Sequence, residues 1–200
     1  MGEAQQANKE RLLDVATDLF SSKGFKGTSI RNIAREMGMS ISNIYHYFGN
    51  KDGLMLEIVK RASMGVLTHL RAVSEKDLDS FSKFKLLIKT HSNLCAEYWK
   101  ENKIFFLDEE HMTPEILELN LQIQREIFEI YMNELKDLKK LGIVKNDNLA
   151  IQAFNILGVI NWQLRWYRPE GRLGIEDVSD EIVSFVLYGI TGTEDPKDMK

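Results

Sequence analysis

Residues 28 to 51, TSIRNIAREMGMSISNIYHYFGNK, hold two short amphipathic stretches so close together that neither can fold alone. In the first, Ile30, Ile33, Ala34 and Met37 fall at i, i+3, i+4 and i+7, one apolar stripe on a helix of period 3.6. Ile41, Ile44, Tyr45 and Phe48 repeat that spacing in the second. Thr28 or Ser29 can cap the first helix and Ser40 the second, and Gly38-Met39 supplies a turn whose glycine tolerates positive φ. Two such helices must lean on each other and on a third.

The third is upstream. From about Asn8 to Lys23 the chain carries Leu12, Ala16, Leu19 and Phe20 on one face, and Gly24 follows as a natural stop. Three helices in this order make a helix-turn-helix, whose second motif helix lies in the DNA major groove with its N-terminal residues at base edges. The outer face of that helix reads Ser42, Asn43, His46 and Tyr47, neutral hydrogen-bonding groups that suit bases and phosphates and repel neither.

Charge points the same way once it is divided. The whole chain carries −4, yet Ser22 to Lys51 holds Lys23, Lys26, Arg31, Arg35 and Lys51 against Glu36 alone, a local +4 that leaves −8 for the rest. A basic tip on an acidic protein is the footprint of a chain that meets phosphates at one end.

The run T-S-I-R-N-I-A followed by S-x-S-N-I-Y-H-Y-F-x-N-K resembles the DNA-binding domain of TetR-family transcriptional repressors. The resemblance implies base-edge contacts from Arg31, Ile41, Ser42 and Asn43 and phosphate contacts from Ser29, Tyr45, His46, Tyr47 and Lys51. Physical chemistry supports part of this: Arg31 can be bidentate to guanine, Asn43 can read adenine, and Ile41 can touch a thymine methyl or pack on the motif's own core. Tyr45 divides between core and phosphate on the same reasoning. A surface histidine such as His46 is by itself weak evidence.

The expected fold is all-α, with about nine helices. Only three prolines interrupt the chain, long stretches are rich in helix formers, and 44% apolar content can bury a good core. Residues 1–50 form the expected helix-turn-helix domain and 74–200 a larger helical domain. Between them a long helix, about 51–73, carries Leu54, Leu56, Ile58 and Val59; by the resemblance it is a lever joining the two. Lys51 at its start can share a phosphate with the helix N-terminus. The polar run SEKDLDS marks the boundary, Thr113-Pro114 starts another long helix and Gly142 stops it.

The last two helices are of another kind. From Asn148 to Tyr167 and from Val178 to Ile190 apolar residues wrap most of the circumference, which predicts burial on more than one side. A homodimer that pairs these helices as a four-helix bundle is the expected solution, and its two-fold axis suits a near-palindromic operator with half-sites roughly 34 Å apart or a multiple of that.

Many large apolar side chains in the second domain predict a cavity for an apolar effector, with Trp99 and Phe106 among its walls. The segment NWQLRWYRPEGRLGIEDV and the ending VLYGITG resemble TetR-family regulators of fatty-acid and sterol-ring catabolism that sense coenzyme A thioesters. Arg165, Arg168 and Arg172 beside Trp162, Trp166 and Tyr167 suit an acyl-CoA: guanidinium for phosphate, ring faces for adenine or acyl tail. Alternatively these arginines pair with Glu170 or Glu176 and shape the dimer surface, and the effector is another hydrophobic molecule such as a drug.

An enzyme is not expected. Asp108, Glu109, Glu110 and His111 point in different directions on a helix and read as a solvated acidic end, from which one carboxylate could face the second domain's cavity; His91 is isolated, and no phosphate loop, metal-ligand spacing or nucleophile elbow occurs. No metal and no cofactor beyond the effector is expected. The single Cys95 reads as a small core filler. With no apolar run long enough for a membrane and no basic-then-apolar N-terminus, the expected location is the cytoplasm.

Overall fold

In the computed structural model the described residues are 3–191, without the side chains of Glu3, Ala4, Phe106, Leu107 and Glu109. Among them the chain forms nine α-helices and one short 3-10 turn, in the order α1 (Glu3–Lys23), α2 (Ile30–Met37), α3 (Ile41–Phe48), α4 (Lys51–Ser74), α5 (Ser80–Glu97), α6 (Trp99–Asp108), α7 (Pro114–Lys140), α8 (Leu149–Trp166) and α9 (Ile175–Thr191). The fold is all-α, and no helix among the described residues is long and apolar enough to cross a membrane.

Packing groups the chain into two units: one runs up to Met64 and adds Lys100–Leu121, the other comprises Gly65–Trp99 and everything from Gln122. α4 and α7 therefore each run from one unit into the other.

In the first unit Leu12, Ala16 and Phe20 from α1, Ile33 from α2, Ile44 from α3, and Leu54 and Ile58 from α4 are at most 1% exposed and share one core, to which Ile104, Met112 and Ile116 are added. The residue between the two motif helices that sets their angle is Gly38, at φ 65°, a left-handed conformation that only glycine adopts without strain. Ser29, not Thr28, caps α2: its hydroxyl oxygen accepts the Asn32 N–H at 3.1 Å while the Asn32 side chain accepts the Ser29 N–H at 3.0 Å. Thr28 is buried, and its hydroxyl donates to the carbonyls of Gly24 and Leu19 instead. α4 starts hard against α3. A Cβ on Gly53 would sit 2.1 Å from the Phe48 carbonyl oxygen, so this position requires a residue without one.

The second unit is built on α5, which packs against both α8 and α9. Asp79 caps it from the polar boundary stretch, accepting the Ser82 N–H at 3.0 Å. The helix expected to run on to about Lys100 instead ends at Glu97, and Tyr98 breaks it before α6. Cys95 is buried as expected, and burial pushes its thiol up to about 12. His91 is not isolated: it is buried, lies 3.1 Å from the Tyr131 hydroxyl and is lowered to about 4 by burial.

Candidate functional site

Of the four residues on the expected apolar stripe of α3, the structure buries Ile44 and Phe48, half-buries Ile41 and leaves Tyr45 48% exposed. Tyr47, expected on the outer face, packs partly against the core. The helix is rotated slightly from the simple stripe, since Ile44 and Phe48 join the buried core and Tyr47, not Tyr45, packs partly against it. Ser42, Asn43, Tyr45 and His46 are left to solvent at the side of α3 away from the core. Ser40 caps this helix, its oxygen accepting the Asn43 N–H at 3.3 Å.

The same unit carries four exposed cations. Arg31 and Arg35 on α2, Lys23 at the end of α1 and Lys26 in the following turn are all exposed. Ser29 is exposed at the start of α2, where the first amides of the helix already favour an anion. A neutral, hydrogen-bonding helix face in a unit that also exposes cations and a helix N-terminus is suited to lie in a groove and hold the phosphates on its rim.

Lys51 is placed differently from the other cations. It is half-buried, its ammonium donates to the Phe25 carbonyl at 2.5 Å and lies 4.0 Å from the centre of the Phe25 ring. Desolvation lowers its pKa, opposed by the charges of Asp52 and Asp108. Asp108 is the unexpected member of this group. Read from sequence as part of a solvated acidic end, it is 8% exposed and accepts the Phe25 N–H at 3.0 Å. Only its neighbours fit the expectation, Glu110 being exposed and paired with His111 at 3.1 Å. Among the described residues no group of His, Cys, Asp and Glu could hold a metal ion.

The C-terminal part of the chain, residues 77–190, matches the family model described as the tetracyclin repressor-like C-terminal domain, and residues 12–58 match that for bacterial regulatory proteins of the tetR family. The chain belongs to the TetR family. The HTH-type transcriptional repressor KstR2 of Rhodococcus jostii (strain RHA1) is 26% identical over 188 residues, covering 93% of this chain and 92% of the relative. Two solved structures share the fold: the TetR-family regulator PfmR of Thermus thermophilus (TM-score 0.83, 24% identity, 88% and 97% of the two chains), and AibR in complex with isovaleryl coenzyme A and operator DNA (TM-score 0.77, 21% identity, 89% and 97%). In this TetR-family chain the matched N-terminal segment contains the exposed α3 face and the cations of α2.

The residues expected to bind effector are not gathered in one place. Trp162 is 65% exposed and Trp166 46%, and both line an open apolar groove of about 830 Å³ along α8 and α9, with Phe154, Ile182, Phe185 and Val186 among its other walls. Arg165 is exposed on the last turn of α8, and Arg168 folds back to donate to the Tyr167 carbonyl at 2.6 Å. Glu176, one of the acids offered as a partner for these arginines, pairs with Lys89 at 2.9 Å. Trp99 is half-buried and does not line that groove, and the Phe106 side chain lies outside the described residues. What the sequence did not single out is the buried polar set of the second unit. The Ser92 hydroxyl donates to Gln163 Oε1 at 2.6 Å, and the Gln163 side-chain amide Nε2 donates back to the Ser92 backbone carbonyl at 3.1 Å, tying α5 to α8. A serine and a glutamine on otherwise apolar helix faces were the available signal.

Proposed function

We propose that this chain is a sequence-specific DNA-binding repressor that acts as a homodimer and is released from its operator by a small-molecule effector. The observation that carries the reading is the exposed Ser42, Asn43, Tyr45 and His46 face of α3, held on a packed helical core in the unit that also exposes Arg31, Arg35, Lys23 and Lys26. Ser29, Tyr45, His46 and Lys51 take phosphates, with Tyr47 at the edge of the same surface; Arg31, Ser42, Asn43 and the half-exposed Ile41 reach base edges.

Dimerisation is supported by the outer face of α8 and α9. Phe154, Trp162, Phe185 and Tyr188 are each more than half exposed there, a large apolar patch for a lone chain. Between these knobs lie Gly158 and Gly189, where an added Cβ would meet nothing within 4 Å, so the surface carries both projections and hollows. A face of that kind is self-complementary under a two-fold axis. Trp162, Arg165, Trp166 and Arg168 belong to this surface or its rim, which favours the dimer role over the effector role for them.

For the effector, a coenzyme A thioester is the class best supported. AibR, whose fold this chain shares, has been crystallised with isovaleryl coenzyme A and operator DNA. A ligand that favours the DNA-incompetent arrangement by about a thousandfold would shift the balance by roughly 4 kcal/mol, comparable to the margin of a specific site over non-specific DNA. Such a regulator works beside DNA in the cytoplasm and performs no catalysis.

Selection of bound duplexes from random sequence tests the reading. Enrichment of a near-palindrome, followed by loss of the complex when acyl-CoAs are titrated in, is expected. If no sequence is enriched, the DNA-binding reading fails; if acyl-CoAs leave the complex intact while simple hydrophobic drugs dissolve it, only the effector class is wrong.

A further inference from the structure

Every backbone and side-chain group of Phe25 is held. Its amide donates to Asp108 Oδ2 at 3.0 Å, and its carbonyl accepts from the Lys51 ammonium at 2.5 Å and from the Thr28 amide at 3.3 Å. Its ring stands edge-on to Phe20 at 5.3 Å with the Lys51 ammonium 4.0 Å above it. The turn from Phe25 to Thr28 leads straight into Ser29 and α2, and Lys51 opens α4. Phe25 thus joins the starts of two helices whose first residues face the proposed phosphates, and it is fixed from α6 by one carboxylate.

That carboxylate is buried, which is costly for an anion unless polar partners compensate it. The compensation here is a charge-assisted bond from a backbone amide and the attraction of the nearby ammonium. The ammonium in turn has three N–H groups, of which the Phe25 carbonyl takes one. Two remain for a phosphate. A lysine side chain otherwise loses considerable rotamer freedom when it docks, so a lysine already seated binds with less entropic loss.

We propose that Asp108 is a positioning residue for DNA binding: by holding the Phe25 amide it keeps the Phe25 carbonyl and ring in place as the seat of Lys51, the phosphate-binding cation at the start of α4. The proposal rests on the DNA-binding reading above. Asp108 touches no DNA itself; it acts through Phe25 on Lys51.

The experiment measures affinity for a duplex selected by the wild-type chain, with thermal unfolding of each variant alongside. Asp108→Ala lowers affinity about three- to tenfold, the loss expected when one rotamer-rich side chain must be ordered on binding. Asp108→Asn, which still offers an oxygen to the Phe25 amide, restores affinity to within about twofold. In a Lys51→Ala background the same Asp108→Ala change costs less than about twofold, because its route to DNA is already gone. Should the alanine variant fail to fold, Asp108→Ser, too short to reach the amide, takes its place. Wild-type affinity in Asp108→Ala, an equal loss in the Lys51→Ala background, or failure of asparagine to restore binding each overturns the proposal while leaving DNA binding intact; a wild-type chain that binds no duplex removes both.

Discussion

His91 Nδ1 and the Tyr131 hydroxyl are 3.1 Å apart, joining α5 to α7 inside the second unit. Both groups are buried; burial keeps the imidazole neutral until about pH 4, and burial, with Cys95 nearby, keeps the phenol protonated well above its ordinary range.

A pH dependence of stability follows. In the unfolded chain His91 protonates near 6.5, in the folded chain near 4, so between those values the unfolded state binds more protons and stability falls as pH drops. Above about pH 6.5 the group contributes nothing to the dependence. Urea unfolding should show the wild type losing about 2 kcal/mol more between pH 7 and pH 5 than His91→Gln does. Parallel curves for the two proteins would show that His91 is solvated or already charged.

Two glycines on either side of α3 serve different ends, and alanine separates them. At Gly38 the added methyl meets nothing within 4 Å but the φ of 65° is strained for alanine, so Gly38→Ala should cost about 1 kcal/mol. Gly53→Ala drives a methyl to 2.1 Å from the Phe48 carbonyl, backbone that cannot swing aside. A loss of about 2 kcal/mol or more is expected, with operator binding impaired as α4 shifts from α3. Equal melting temperatures for the two variants would contradict this assignment.

On α3 the exposed residues divide by what they read. Asn43→Ala should cost about 1 to 3 kcal/mol at the preferred base and relax selection at that position alone. Tyr45→Ala should weaken all sequences alike, with little change in melting temperature because the side chain is 48% exposed. Lys51→Ala should lower the salt slope of log affinity by about 0.9, one phosphate's worth of released counterion. These outcomes are read from binding isotherms at several salt concentrations on selected and scrambled duplexes.

Phe185 is 67% exposed and lines the groove along α8 and α9. Phe185→Glu should convert a sedimenting dimer into a monomer while leaving helix content unchanged, since the side chain supports little of the protomer's own core. A wild-type chain that sediments as a monomer at micromolar concentration would remove the pairing reading.

The head was legible because its signals are local. Ser29, Gly38 and Ser40 fall within a dozen residues, and each acts on the backbone beside it, so the limits of α2 and α3 can be read before any packing is known. The division of labour between Tyr45 and Tyr47 was not, because a helix of eight residues carries too few apolar positions to fix its rotation. Asp108 was misread for a different reason. Its partner is a backbone amide 83 residues upstream, and an amide is common to every residue except proline, so nothing in the sequence marks it. His91 hides in the same way, with its partner 40 residues downstream on another helix. The aromatic residues of α8 predicted burial, yet Phe154, Trp162 and Trp166 stand exposed in the protomer, and apolar surface for a cavity and apolar surface for a twin look identical in one dimension.

The knobs and hollows of α8 and α9 belong to a segment remote in sequence from the one that reads bases. Under the proposed pairing, a protomer ruined at Asn43 and Tyr45 would still recruit intact copies, and each mixed pair would grip only half an operator. A damaged allele of this kind would be dominant: expressed beside the normal gene at equal dose, it would spoil about three of every four assemblies if pairing is random.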